Sequence, residues 1–199
     1  MAQLGFYFDF VSPYSYLAQT QIRKLNIDAD YTIDYQPVLL GVLHESQGIK
    51  SPAFVPAKAQ WIFRDCHLWA NHYGVPLQWN SQFPFNTLFL LRVVLWMKEN
   101  HADKVADFIH GTFDALWQQG LNPKDENAIR SHIESYGVDV DAVQAGTQEP
   151  HIKQALKDQL NVAKKLGMFG LPAFTVGEEV FFGQDRLMFV ENALEKQAS

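Results

Sequence analysis

The stretch that most limits what this chain can become is residues 6–18, Phe-Tyr-Phe-Asp-Phe-Val-Ser-Pro-Tyr-Ser-Tyr-Leu-Ala. The aromatic-rich run at 4–10 has strand character. It stops at Ser12-Pro13. Proline fits the first turn of a helix, where its missing N–H had no partner to lose. A helix is predicted over 13–24. Tyr16, Leu17, Thr20 and Leu25 lie near one face, and Arg23 and Lys24 suit its negative end. Ser12 thus sits where a strand gives way to a helix. Two roles are open to it. It is an N-cap, or its hydroxyl holds a thiolate or oxyanion of a ligand at the positive end of the helix.

Beyond a polar loop at 26–30, residues 31–38 alternate and read as a second strand. Strand, helix, strand is a parallel unit, normally right-handed. Residues 39–55, with Gly41, Gly48, Ser51 and Pro52, read as an irregular linker or lid. From 56 to 167 nearly every signal is helical. Helices are expected at 56–73, 86–100, 102–119, 124–136, 140–146 and 150–166. Gly74-Val75-Pro76 closes the first of them, and Lys164, Lys165 and Gly167 mark the end of the last. The pattern then reverts to strands at 173–176 and 180–182 around Gly177-Glu178, with a closing helix over 185–196. One sheet completed from both chain ends, around a long helical insertion, is an α/β architecture.

At 199 residues the chain can bury one substantial core. A net charge of −6 argues against a nucleic-acid partner, which usually needs a basic stripe. The apolar run at 88–97 is interrupted by Arg92 and is too short to span a bilayer, so no membrane association is expected. No basic-then-apolar leader is seen at the N-terminus, and a cytoplasmic location is the expectation. The single cysteine, Cys66, rules out a disulfide framework, a Cys-x-x-Cys pair and a four-cysteine zinc site. It reads as a buried helix thiol. His67 and His72 are five apart and do not share a helical face, so no metal is expected.

A second anchor stands before the third strand: Gly170-Leu171-Pro172. A cis Leu171–Pro172 bond would turn the Leu171 backbone outward, where it could pair with an extended, peptide-like ligand. With this piece the chain resembles the thioredoxin-like plan, βαβ then ββα, carrying a large all-helical insertion. Redox members of that plan, related to periplasmic disulfide oxidases, begin the first helix with Cys-Pro-x-Cys. Here the place reads Ser12-Pro13-Tyr14-Ser15. The sequence is similar to the kappa-class glutathione transferases and most of all to the 2-hydroxychromene-2-carboxylate isomerases. The matching pieces run from 6 to 17, then Tyr73-Gly74-Val75-Pro76, Phe169-Gly170-Leu171-Pro172 and Phe182-Gly183-Gln184-Asp185-Arg186-Leu187. The resemblance implies a thioredoxin-like domain from 1–40 and 168–199, a helical domain from 41–167, glutathione as cofactor and a homodimer.

The same resemblance gives residues their roles. Ser12 matches the serine that hydrogen-bonds the glutathione sulfur. Leu171, before Pro172, matches the residue whose backbone pairs with the cysteinyl part. Phe182, Gly183, Gln184 and Asp185 match the segment at the γ-glutamyl end, with Asp185 facing its ammonium. Gln184 stands where a small residue or asparagine is expected. Lys58 matches a basic residue near the site. From the residues themselves, Lys58 and Arg64 are candidate partners for a substrate carboxylate. Trp61, with Phe6, Phe8, Trp69, Trp79 and Phe89, is a candidate pocket lining. Asn86 opens a helix as a cap or reaches substrate.

The chemistry expected of Ser12 is donation to a thiolate. A free thiol titrates near ~8.5, and a helix start lowers that value. The implied reaction is a glutathione-dependent isomerisation of an unsaturated aromatic ring acid. Alternatives are a transferase that releases the conjugate, and a non-redox thioredoxin-like binding module.

Overall fold

The computed structural model describes residues 2–25 and 31–198. The loop expected at 26–30 lies outside them. Strand β1 (Ala2–Phe8) leads into α1 (Pro13–Leu25), and β2 (Tyr31–Pro37) follows. Then come α2 (Leu40–Ser46), α3 (Pro56–Tyr73), α4 (Leu88–Asn100), α5 (Val105–Trp117), α6 (Glu126–Glu134), α7 (Val140–Gly146) and α8 (Pro150–Lys165). Strands β3 (Ala173–Val176) and β4 (Glu179–Phe182) and helix α9 (Leu187–Ala198) finish the chain. The sheet order is β2-β1-β3-β4. β1 and β2 are parallel, and β3 runs antiparallel to both β1 and β4. This is the thioredoxin-like arrangement, with the sheet assembled from the two chain ends.

The aromatic run of β1 is core. Phe6 stacks between Phe8 at 5.3 Å and Phe174 of β3 at 5.5 Å, centroid to centroid. Phe8 and Phe10 meet Phe113 of α5 at 5.6 and 4.9 Å. All five rings are fully buried. Each buried ring contributes about 1.5–3 kcal/mol by leaving water, with a further increment for ring-on-ring geometry. The Trp117 indole N–H, also buried, donates to the Phe10 carbonyl at 2.8 Å. It thereby ties the insertion to the segment that carries Ser12.

Two elements depart from the sequence expectation for one reason. β1 ends at Phe8 rather than at residue 10, and the span expected to be irregular from 39 contains helix α2. Asp9 explains both. Its carbonyl closes a turn with the Ser12 N–H at 3.0 Å, so the strand stops. Its carboxylate then accepts the Leu40 N–H at 2.8 Å, the first amide of α2. The preceding residue, Leu39, has no side chain that can cap. The cap is supplied from 31 residues away, where no local pattern reveals it.

Candidate active site

Ser12 is buried at the start of α1. Its Oγ accepts the Ser15 N–H at 3.1 Å, which is an N-cap bond. The same hydroxyl donates to the Leu171 carbonyl at 3.1 Å, 159 residues away. The cap and the site are therefore one group. The Leu171–Pro172 peptide is cis, as is Phe83–Pro84. Pro172 passes the connection on, because its carbonyl accepts the Gly183 N–H at 3.0 Å.

Two glycines let these pieces close. A Cβ on Gly170 would meet the Phe182 ring at 2.8 Å. Gly183 has a φ of 102°, a conformation that favours glycine, and a Cβ there would sit 2.7 Å from an Asp185 carboxylate oxygen.

Beside Ser12 lies a cleft of about 430 Å³ with mostly apolar walls. Ser12, Tyr14 and Leu171 form one side. The α2 segment, the turn around Phe54 and the loop from Phe83 to Thr87 form the others. Phe182 and Asn86 reach the wall. Asn86 also accepts the Leu88 N–H at 2.9 Å, so it steadies the entry to α4. Lys58, Trp61 and Arg64 are exposed on α3 and are not part of this wall. Phe6 and Phe8 belong to the core, and Trp79 packs on Phe63, Phe83 and Trp117. The rings that do line the cleft are Tyr14, Phe54, Phe83, Phe85 and Phe182. Apart from Tyr14 and Phe182 they sit on turns and loops, where helical periodicity carries no signal.

Gln184 and Asp185 face a second depression, shared with Lys24, Trp69, His72, Tyr73 and Glu191. Gln184 is buried, and its side-chain carbonyl accepts the Tyr73 hydroxyl. The unexpected glutamine is thus held by a residue of the Tyr73-Gly74-Val75-Pro76 piece. Burial, reinforced by the Asp185 charge, pushes the Tyr73 phenol up to about 12, so it stays a donor. Asp185 is partly exposed and paired with Arg186.

Asp9 is the residue that sequence reasoning missed. It is fully buried on the cleft wall. Its carboxylate accepts the Val11 N–H at 3.2 Å, the Leu40 N–H at 2.8 Å and the Thr87 hydroxyl. Thr87 is the N-cap residue of α4, yet its side chain makes no cap bond to its own helix. Asp9 therefore pins the starts of α2 and α4 to the strand end that presents Ser12. Burial pushes its carboxyl up to about 6, against the hydrogen bonds from Thr87, Leu40, Val11 and the Phe10 backbone that hold it down.

Ser15 is buried where redox relatives of the plan carry their second sulfur, and its Oγ has no partner. Cys66 is fully buried, and burial pushes its thiol up, which leaves it inert. Tyr14 reaches past it to Asp65 at 2.8 Å.

Residues 3–195 match the DSBA-like thioredoxin domain. The chain belongs to that family. It is 30% identical to the 2-hydroxychromene-2-carboxylate isomerase of Sphingobium xenophagum over 96% of this chain and 97% of the relative. It is 25% identical to glutathione S-transferase kappa 1 of Caenorhabditis elegans over 98% of this chain and 92% of the relative. A solved 2-hydroxychromene-2-carboxylate isomerase superposes with a TM-score of 0.88, at 27% identity, covering 98% of this chain and 96% of that one. These relatives are named isomerases and transferases, which supports an enzyme in general; the single cysteine, Cys66, lies in α3 and not in the Ser12-Pro13-Tyr14-Ser15 segment, so that segment holds no dithiol. No helix among the described residues is long and apolar enough to cross a membrane.

Proposed function

We propose that this protein is a glutathione-dependent isomerase acting on an unsaturated ring compound held in the cleft. One observation carries the reading: the Ser12 hydroxyl, at the positive end of α1, is directed at the backbone of Leu171 beside the mouth of an apolar cleft. The groups present fit glutathione. A hydroxyl at a helix start suits a sulfur anion, the Leu171 backbone suits the peptide unit next to it, and the Asp185 carboxylate suits an ammonium. When bound, glutathione would supply a thiolate that adds reversibly to the ring compound and is expelled after bond rotation, so the tripeptide is not consumed.

The protein's own part follows from the geometry. Ser12 would turn its proton from the Leu171 carbonyl to the sulfur and favour the charged form. A hydrogen bond to a charged group is worth about 1.5–3 kcal/mol, or roughly one to two units of thiol pKa. Gly183 and Phe182 would bring the γ-glutamyl end toward Asp185 and the depression behind it. Asn86 would meet the ring compound. Lys58, Trp61 and Arg64, off the cleft wall, would serve neither ligand directly.

A transferase is the second reading. It is favoured by the absence of any lysine or arginine from the cleft wall among the described residues, a composition that suits neutral electrophiles. One assay separates the two. The protein is given 2-hydroxychromene-2-carboxylate with and without glutathione, and glutathione is counted at the end. Isomerised substrate with glutathione unchanged supports the first reading. Loss of glutathione supports the second. Absence of glutathione binding by calorimetry would sink both.

A further inference from the structure

Helix α3 gives little of itself to the core. Of its 18 residues only Cys66 and Ala70 are buried. The side turned away from them carries Trp61, Arg64, Asp65 and Leu68. Their spacing of i, i+3, i+4 and i+7 puts them on one helix face. A face turned to water is ordinarily polar. Here Trp61 and Leu68 are each 58% exposed. Among the described residues Trp61 meets no other ring, unlike Phe63 on the flank, which packs on His67 and Trp79. With Phe54 and Phe63, also exposed, Trp61 and Leu68 present on the order of 400 Å² of apolar surface, the size that functional patches have. The charges between them are short of partners as well. Among the described residues Arg64 makes no hydrogen bond or ion pair, and Asp65 accepts only the Tyr14 hydroxyl.

The order of the four residues is self-complementary. A two-fold axis passing between Arg64 and Asp65 sets Trp61 against Leu68 of the partner subunit. It also sets Arg64 against Asp65 of the partner subunit. The axis repeats both pairs, so apolar meets apolar twice and cation meets anion twice. A parallel arrangement would instead set each charge against its like, which is costly. We propose that this face of α3 is the contact between two copies of this chain, packed antiparallel about that axis. Two such faces with their polar rims reach the ~1,200 Å² at which stable interfaces begin. Trp61 is the anchor, a large ring closed in by a partner's leucine. None of the four residues lines the cleft, so each copy keeps its own site.

The test is sedimentation equilibrium of the full chain over a hundredfold range of concentration. The unaltered protein is expected at twice its 22.7 kDa chain mass. Leu68→Asp buries an unpaired charge, and Arg64→Asp sets acid against acid. Each should weaken the dimer at least ~10-fold. Arg64→Asp combined with Asp65→Arg rebuilds both ion pairs in reverse and should recover most of the loss from Arg64→Asp alone. Circular dichroism checks that each variant is folded. A monomer throughout the range would overturn the proposal. So would a dimer indifferent to Leu68→Asp, or a folded exchange variant that stays as weak as Arg64→Asp. Should the exchange variant not fold for want of the Tyr14 bond, Leu68→Asp and Arg64→Asp, both at exposed positions, decide.

Discussion

The cleft beside Ser12 and the depression around Asp185 share one chain segment and little else. Phe182 lines the first, and Gln184 and Asp185 line the second, with Gly183 turning the backbone between them. The cleft is mostly apolar, and Asp9, Ser12 and Thr87 on its wall are buried. The depression mixes Lys24, His72, Asp185 and Glu191. A ligand with a reactive sulfur and a zwitterionic tail would be sorted by this contrast, sulfur toward the dry side and tail toward the charged side. The difference also separates two kinds of rigidity. The cleft is held by buried bonds between segments distant in sequence, Ser12 to Leu171 and Asp9 to Leu40 and Thr87. The depression is held by one buried amide and one exposed ion pair, Asp185 with Arg186, which contributes less.

From this contrast, damage to the cleft's buried polar groups should be the most costly. Asp9→Ala leaves three donors facing an apolar void, and a loss on the order of 3 kcal/mol is expected in urea denaturation at pH 7. Thiol-dependent activity should fall with it, since α2 and α4 lose their common anchor. A second expectation concerns pH. Asp9 is raised to about 6 in the folded protein from an ordinary 3.8, so the folded state binds the extra proton. Its contribution is therefore greatest below pH 4, declines as pH rises through 6 and is flat above that. The total change is about 3 kcal/mol. Asp9→Asn should remove this slope, and the difference between its denaturation profile and the parent's from pH 4 to 7.5 isolates it.

Ser12→Ala removes both a cap and a donor. Stability should drop by about 1 kcal/mol. Thiol-dependent kcat/KM should fall by ~10-fold or more, as expected for a lost hydrogen bond to a charged group. A stability loss with unchanged turnover would return Ser12 to the cap role alone. On the depression side, Tyr73→Phe frees Gln184 from its phenol. The expected effect is a rise of a few-fold in KM for glutathione, from a neutral hydrogen bond worth about 0.5–1.5 kcal/mol, with kcat little changed. Least of all, Lys58→Ala and Trp61→Ala should leave kcat/KM within about twofold, as surface substitutions away from such features usually do. A larger loss from either would place α3's exposed face in the site after all.

What the sequence made readable was the part of the site built from local chemistry. Ser12-Pro13 announces a helix start because proline and a capping hydroxyl act on their immediate neighbours. Gly170-Leu171-Pro172 and Gly183 announce backbone that departs from regular strands and helices. The helices of the insertion were equally plain, down to Val140–Gly146 and the left-handed Gly74 that closes α3. Asp9 was not readable as a node, although it stands inside the opening motif. Its three partners are Val11, Leu40 and Thr87, and two of those are distant in sequence. An aspartate at the end of an aromatic strand reads as a turn residue. Helix α2 was missed with it, because its cap is tertiary. The cleft's aromatic lining was misplaced for a related reason. Trp61 and Trp69 stand on a long helix with a clear sequence signature, whereas Phe54, Phe83 and Phe85 stand among prolines and small residues where no period points inward.

The account turns on whether the start of α1 holds a thiolate, and the most direct measurement is the titration of the thiol of bound glutathione by its ultraviolet thiolate absorbance. The account predicts that this thiol ionises at least one unit below its free value near ~8.5, and that Ser12→Ala restores most of the difference. A bound thiol that titrates as it does in water, or one whose pKa is indifferent to Ser12, would contradict it.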